Sequence, residues 1–294
     1  MISEAFWLRE LGALQTPIID IIGFSEVITS EKFGPVNPKY REYAHDLNKA
    51  ARLIMDRMVQ RLDESKSQER KSGLKRKSDL KQQSGDALAS VLMSHEIRSP
   101  LNVIIGFAEI MMRSLFGPMD DPYQAYAEDI HSSGMLLLDV INDLLDLARV
   151  EAERIELDEG SVDVEKAVQE SLREAMPQAV QGQVTLTWVP SVAKLPNLLC
   201  DRRRLRQMLL NILSSAAKFD KPGRMVEVGT DFSDGPGIVI RDTGWGILMD
   251  SLKLILTKCL MEQHGGNLLI ASMPNDGVTV RLLFPSERIL RSEE

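Results

Sequence analysis

The sequence predicts an α+β fold in which two helical hairpins of the four-helix-bundle type precede an α/β sandwich. Two observations carry this prediction. A segment of about thirty residues recurs at a constant offset, and near residue 160 the apolar pattern changes from helical periodicity to strand-like alternation. At 294 residues the chain is long enough for about two domains. We divide it into a first hairpin (1–64), a basic linker (65–86), a second hairpin (87–157) and an α/β domain (158–294).

The repeat is visible without any gap. Residues 17–47 align with residues 100–130 at an offset of 83, and 13 of the 31 pairs are identical. Both copies contain Ile-Ile-Gly-Phe and Phe-Gly-Pro at the same offset, which indicates two copies of one helical hairpin. The identical pairs include Pro17/Pro100, Gly23/Gly106, Phe24/Phe107, Phe33/Phe116 and Tyr43/Tyr126.

Each copy is expected to contain a helix, a turn and a return helix. In the second copy, the first helix should bury the face formed by Leu101, Ile104, Ile105, Ala108, Met112 and Leu115. Gly117-Pro118 should break that helix. The return helix should bury Ile130, Gly134, Leu137, Ile141, Leu144 and Ala148, and its counterpart in the first copy Leu47, Ala51, Ile54 and Met58. These stripes are interpreted as the core of a helix bundle.

The second hairpin begins with a reactive constellation, Met-Ser-His-Glu-Ile-Arg-Ser-Pro-Leu-Asn at 93–102. A neutral imidazole is a good nucleophile near pH 7, and the adjacent carboxylate of Glu96 can take the proton of His95 or hold its tautomer. This stretch resembles the H-box of two-component sensor histidine kinases. The resemblance implies that His95 accepts a phosphoryl group with help from Glu96. It also implies that Ser99 can orient a water for dephosphorylation of a response regulator.

The first hairpin lacks this chemistry, because the offset equates His95 with Gly12 and Glu96 with Ala13. We therefore expect a structural role for it. Sensor kinases build a four-helix bundle from two hairpins in two chains, whereas this chain already contains two. We predict that they pack together as an internal pseudo-dimer. The alternative is a homodimer in which like hairpins pair between chains.

Two motifs of the second half resemble the ATP-binding domain that sensor kinases share with the gyrase and Hsp90 ATPases, the GHKL type. The helix containing Gln207–Phe219 matches the family's N-box, whose two asparagines lie four residues apart. Asn211 matches the first asparagine, Ser215 replaces the second, and Lys218 matches a basic residue that approaches the phosphates. The resemblance implies ATP and Mg²⁺ as ligands, with Asn211 and Ser215 at the metal.

The second motif, Asp242-Thr-Gly-Trp-Gly246, follows a predicted strand and matches the first glycine box. The resemblance implies that Asp242 accepts a hydrogen bond from the adenine amino group. Gly244 and Gly246 would then let the backbone approach the base. The family next carries a mobile lid and a second glycine box, but here only Leu248–Ser251 separates Ile247 from the following helix. We therefore expect weak or absent ATP binding.

Three functions remain open at this point. The first is an active protein-histidine kinase that uses ATP. The second is a histidine phosphotransferase that is charged by a partner regulator or an upstream kinase. The third is a non-catalytic scaffold that docks the receiver domain of a response regulator. The intact His95-Glu96 pair argues against the scaffold, and the missing lid argues against the ATP-dependent kinase.

Composition excludes several other classes. The net charge of −8 does not favour nucleic-acid binding. No apolar run reaches the roughly 18–20 residues that a membrane span requires, and the two cysteines show no metal or disulfide spacing. A cytoplasmic protein is therefore expected.

His264, in a His-Gly-Gly turn, is expected to be structural, and Asp201 is expected to be the N-cap of the helix that ends at Phe219.

Overall fold

A computed structural model describes residues 4–71, 95–151, 156–190, 197–217, 223–231, 235–242, 251–273 and 277–290. The chain forms two compact units, Met1–Arg154 and Ile155–Glu294. Both predicted hairpins lie in the first unit.

The first unit is helical. Its helices are α1 (Glu4–Ala13), α2 (Gln15–Thr29), α3 (Pro38–Lys71), α4 (His95–Met112) and α5 (Asp121–Glu151). Helix α3 continues through the first seven residues of the predicted linker. The rest of that linker lies outside the described residues.

Four of these helices form one bundle within a single chain. Helix α2 packs against α3 and α5, and α4 packs against the same two helices, so the hairpins pair with each other as expected. The predicted seams are buried. Fully or almost fully buried positions are Leu47, Ala51, Ile54, Met58, Leu101, Ile104, Ala108, Ile130, Leu137, Ile141, Leu144 and Ala148.

The prediction for the end of the first helix of the second hairpin was wrong. Leu115 is 62% exposed, and Met111 rather than Met112 is fully buried. Helix α4 ends at Met112, and Ser114 and Gly117 have positive φ angles of 50° and 106°. The helical period therefore does not extend to residue 115, which lies in the turn. In the first hairpin, the expected single helix is interrupted at Leu14, between α1 and α2.

Reciprocal hydrogen bonds tie the two hairpin turns together. The hydroxyl of Tyr123 donates to the carbonyl of Gly34 (2.8 Å) and accepts from the amide of Phe33 (2.8 Å). The offset of 83 relates this pair of bonds to a second pair. There the hydroxyl of Tyr40 donates to the carbonyl of Gly117 (2.7 Å) and accepts from the amide of Phe116 (2.8 Å). Both tyrosines are buried, so each turn is anchored by the opposite hairpin.

The second unit is an α/β domain. Its helices are α6 (Val164–Gln181), α7 (Arg202–Ala217) and α8 (Ser251–Gln263). Its strands are β1 (Glu159–Val162), β2 (Val184–Trp188), β3 (Asn197–Asp201), β4 (Arg224–Asp231), β5 (Gly237–Asp242), β6 (Asn267–Met273), β7 (Gly277–Leu283) and β8 (Ile289–Leu290). The short 3₁₀ helix Ser286–Arg288 precedes β8. The sequence patterns predicted no element at the positions of β1, α6 and β8.

The strands form two sheets. The larger has the order β2-β4-β5-β7-β6, with β2 and β4 parallel and the other pairs antiparallel, and the smaller has the order β1-β3-β8. Helix α6 packs against β2, α8 packs against β6, and α7 contacts both of these helices. A helical layer therefore covers one face of the larger sheet, which is the predicted sandwich.

Asp201 and His264 hold several elements of this unit together. One carboxylate oxygen of Asp201 accepts from the amides of Arg203 (2.9 Å) and Arg204 (3.1 Å), which confirms the predicted N-cap of α7. The other accepts from the amide of Asp158 (3.1 Å). The amide of Asp201 points to Nε2 of His264 at 3.2 Å.

His264 is fully buried, and its Nδ1 lies 2.7 Å from the carbonyl of Leu260. A neutral ring that donates from Nδ1 and accepts at Nε2 satisfies both contacts. Burial accordingly lowers the pKa of His264 below its usual value. The expected structural role of this residue is confirmed.

Candidate functional site

The acceptor constellation includes the first described residues of helix α4. The described part of this helix runs from His95 to Met112, so His95 and Glu96 have helical backbone, and Pro100 lies inside the helix. The side chains of His95 and Glu96 are outside the part of the structure that is described. Pro100 lies past the four N–H groups that lack a helical partner, so its missing N–H removes one backbone hydrogen bond from this part of α4.

Neighbouring residues define the register of this helix. Ile97 and Leu101 are buried to within 1% and anchor α4 in the bundle, whereas Ser99 is exposed. Positions 95 and 99 are four residues apart and therefore share one helical face. The helical backbone thus puts positions 95 and 99 on the same side of α4.

The corresponding position in the first hairpin carries no reactive group. Gly12 is exposed near the end of α1, and a Cβ atom built on it would meet nothing within 4 Å. Packing against the described residues would therefore allow a side chain at this position. The bundle has two matched hairpins and one predicted acceptor.

The N-box residues of the second unit are engaged within the protein. Asn211 is buried, and its Nδ2 donates to the hydroxyl of Thr257 on α8 at 3.3 Å. The hydroxyl of Ser215 donates to the backbone carbonyl of Asn211 at 2.7 Å. This bond, from a serine to the carbonyl four residues earlier, uses the hydroxyl proton within α7 itself.

Asp242 is also engaged. Its carboxylate forms a buried ion pair with the guanidinium of Arg224, and the two residues are 1% and 8% exposed. Arg224 was not identified as a site residue from the sequence. The alternation of Arg224, Val226 and Val228 along β4 was the available signal, because it places the arginine on the same face as the two buried valines.

Lys218, Gly244 and Gly246 lie outside the described residues. Among the residues that are described, no group of three His, Cys, Asp or Glu side chains could hold a metal ion. The carboxylate expected to receive the base carries an internal arginine, and Asn211 and Ser215 bond within the protein.

A shallow cavity of about 330 Å³ lies elsewhere, on the larger sheet. Arg241 lines this cavity. Because consecutive strand residues point to opposite faces of a sheet, the cavity opens on the face opposite to that of Asp242. Its lining consists of Arg241, Leu269, Ile270, Ala271, Gly277, Thr279 and Arg281. This cavity contains none of the predicted nucleotide residues.

Helices long and apolar enough to cross a membrane are not found in the described part of the chain. Cys200 is buried, and burial raises the pKa of its thiol to about 12, so it has no thiolate character near neutral pH.

Comparison with known proteins relates part of the first unit to a known domain family. Residues 92–153 match the model of the His Kinase A (phospho-acceptor) domain. The chain is 39% identical over 216 residues to the histidine protein kinase DivJ of Caulobacter vibrioides. The matched region covers 66% of this chain and 36% of the relative. It is 33% identical over 232 residues to the cell-division control histidine kinase PdhS of Brucella ovis, covering 67% of this chain and 22% of the relative.

A solved structure shows the same architecture. Full-length ShkA in complex with AMPPNP superposes with a TM-score of 0.56 at 28% identity, covering 67% of this chain and 45% of that chain. This complex supports ATP binding by the family. The chain spans only part of the curated relatives named above, 36% of DivJ and 22% of PdhS.

Proposed function

Because this chain belongs to the two-component sensor histidine kinase family, we propose that it carries a phosphoryl group on His95 and passes it to an aspartate of a response-regulator receiver domain. The observation that carries the proposal is the match of residues 92–153 to the phospho-acceptor domain, a range that contains His95 on helix α4. The buried face of α4 supports it, since Ile97 and Leu101 fix this part of the helix in the bundle.

The proposed chemistry is a reversible exchange between nitrogen and oxygen. The unprotonated nitrogen of a neutral imidazole attacks the phosphorus of an aspartyl phosphate. An N–P bond forms, the acyl-oxygen–phosphorus bond breaks, and the aspartate leaves as a carboxylate. The other ring nitrogen then carries the excess positive charge, and Glu96 accepts its proton. The reverse sequence returns the phosphoryl group to a receiver aspartate.

Ser99 has a proposed second role on the same helical face. Its side chain is exposed, so its hydroxyl can meet a docked receiver domain and orient a water toward the aspartyl phosphate. Hydrolysis at that aspartate would release inorganic phosphate without passing through His95.

The candidate functions differ in the source of the phosphoryl group. Binding of ATP is a property of the family, and an ATP-dependent autokinase is one candidate. The engaged side chains of Asn211, Ser215 and Asp242 favour the other candidate, in which a phosphorylated regulator or an upstream kinase charges His95. A scaffold that only binds a receiver domain is the third. We propose that the exchange takes place in the cytoplasm.

Two parallel incubations test this function. One contains the chain, Mg²⁺ and radiolabelled ATP, and the other contains the chain and a receiver domain labelled on its aspartate. We expect label on the chain from the receiver domain and little or none from ATP. Label from ATP alone would identify an autokinase, and label from neither source would favour the scaffold.

A further inference from the structure

We propose that Arg224 is an internal ligand of Asp242, which occupies the carboxylate in place of a purine and excludes adenine nucleotides from the second unit. The inference concerns that unit and rests on the proposed function for one consequence only, that His95 must be charged by a partner protein. It adds a residue, Arg224, whose identity decides whether the unit can take a nucleotide.

Strand geometry brings the two residues together. Strands β4 and β5 are antiparallel, and Val226 is paired with Asp242, the last residue of β5. Arg224 lies two residues from Val226 and therefore on the same face of the sheet, at a diagonal position that long side chains can bridge. This face is the one that carries the buried Val226, Val228 and Ile240. The guanidinium therefore meets the carboxylate inside the domain rather than at its surface.

The ion pair is a stronger arrangement than the one it replaces. An exocyclic amino group of a purine is a neutral donor, whereas the guanidinium of Arg224 is a charged donor, and charge-assisted hydrogen bonds are roughly twice as strong as neutral ones. A purine that displaced Arg224 from Asp242 would also cost the buried guanidinium this ion pair. Breaking a buried ion pair is strongly unfavourable, so the base competes poorly for Asp242.

The N-box supplies an independent observation. The amide of Asn211 bonds to Thr257, and the hydroxyl of Ser215 bonds within α7. A nucleotide that needed the Ser215 proton, or the Asn211 N–H that points to Thr257, would have to break one of these contacts. Side chains of two motifs that are separate in sequence are thus already bonded to protein atoms.

The test uses the full chain and two probes, adenosine and AMPPNP with Mg²⁺, followed by calorimetric titration and thermal unfolding. Wild-type protein should give no binding heat and no change in Tm with either probe at millimolar concentration. The Arg224→Ala variant should unfold at a lower temperature, because Asp242 loses its counter-charge. Adenosine should raise the Tm of that variant by several degrees, since a ligand that binds only the folded state stabilises it.

Two further variants keep the inference falsifiable if Arg224→Ala does not fold. Asp242→Asn should lower the Tm of the ligand-free protein, because the buried guanidinium loses its partner. A carboxylate that served only a nucleotide would leave that Tm unchanged. Arg241→Ala is the matched control, since Arg241 is adjacent but exposed, and its Tm should stay close to wild type.

Low-micromolar binding of AMPPNP by the wild type would overturn the inference while leaving the role of His95 intact. An unchanged Tm for Asp242→Asn would also overturn it. A folded Arg224→Ala variant that ignores adenosine would show that Arg224 is not the group that excludes the base. If a phosphorylated receiver domain fails to transfer its label to the chain, the proposed function is removed, but this inference is not affected.

Discussion

The ring of Tyr43 stacks on the ring of Phe107, with centroids 4.5 Å apart and planes 22° from parallel, although the two residues belong to different hairpins. The offset of 83 maps this pair onto Phe24 and Tyr126, whose rings stack at 5.3 Å. The bundle is thus approximately two-fold symmetric in its contacts as well as in its sequence. Apolar faces that two identical chains would bury between them are buried within one chain.

The first prediction concerns oligomeric state. We expect this chain to be a monomer of 32.9 kDa in solution, because each hairpin already buries its seam against the other. Light scattering at low micromolar concentration measures the mass directly. A persistent species of twice that mass would show that the internal bundle does not replace pairing between chains.

The second prediction concerns the tyrosine anchors. Tyr40→Phe and Tyr123→Phe should each lower the free energy of unfolding by about 1–3 kcal/mol, because each change removes a partner from a buried backbone amide and carbonyl. The symmetric environment predicts similar losses at the two sites. Urea denaturation of the two single variants measures both values.

Tyr43→Phe is the control for these variants. Its ring stacks on Phe107, and among the described residues no hydrogen bond of its hydroxyl is found. Its effect should stay within about 0.5 kcal/mol, as for most changes outside the core. A loss at Tyr43 as large as that at Tyr40 would mean that ring packing, and not the hydroxyl bonds, anchors the turns.

Much of the bundle could be predicted because its evidence is local and repeated. The helical period identified the buried face of the return helix from Ile130 to Ala148, and the repeat indicated which hairpins pair. The end of α4 could not be placed this way. Apolar side chains at Met112 and Leu115 continue the helical pattern, whereas the backbone leaves the helix after residue 112.

The state of the second unit was harder to predict because it depends on pairing across the sheet. Asp242 was identified from a motif, but its partner is 18 residues away and becomes a neighbour only through the register of β4 and β5. The bond from Asn211 to Thr257 likewise depends on how two helices pack. Spacing in the sequence reports which groups are available, and tertiary packing decides which of them are already engaged.

The third prediction concerns His264 and acid stability. Burial lowers the pKa of this imidazole below its usual 6.5, so the unfolded chain binds a proton there more readily than the folded one. This site therefore destabilises the protein as the pH falls below about 6.5 and has no such effect above it. The free energy of unfolding, measured with urea at pH 7.5 and 5.5, should decrease at the lower pH.

Substitution at this site separates its contribution from that of other groups. His264→Gln should cost about 1–3 kcal/mol at pH 7.5 because the amide of Asp201 or the carbonyl of Leu260 loses its partner. That difference should shrink at pH 5.5, since the variant cannot protonate there. His45→Gln, at an exposed position of α3, should change neither value. A difference that is independent of pH would contradict a neutral buried His264.

The fourth prediction concerns Ser99. Ser99→Ala should slow dephosphorylation of a phosphorylated receiver domain by about tenfold or more, the order expected when a group that positions a water is lost. Transfer of phosphate to His95 should be unaffected, because the hydroxyl is not part of that exchange. Thr16→Ala, at the position that the offset of 83 relates to Ser99, is the control. An unchanged dephosphorylation rate would remove the proposed role of Ser99.

The fifth prediction tests the central claim, that His95 carries the phosphoryl group. The measurement is transfer of radiolabel from a phosphorylated receiver domain to wild-type protein, to His95→Ala and to His131→Ala, the histidine on α5. We predict acid-labile, base-stable label on the wild type and on His131→Ala, and none on His95→Ala. Label that persists in a correctly folded His95→Ala variant, or that maps to His45, His131 or His264, would contradict the account.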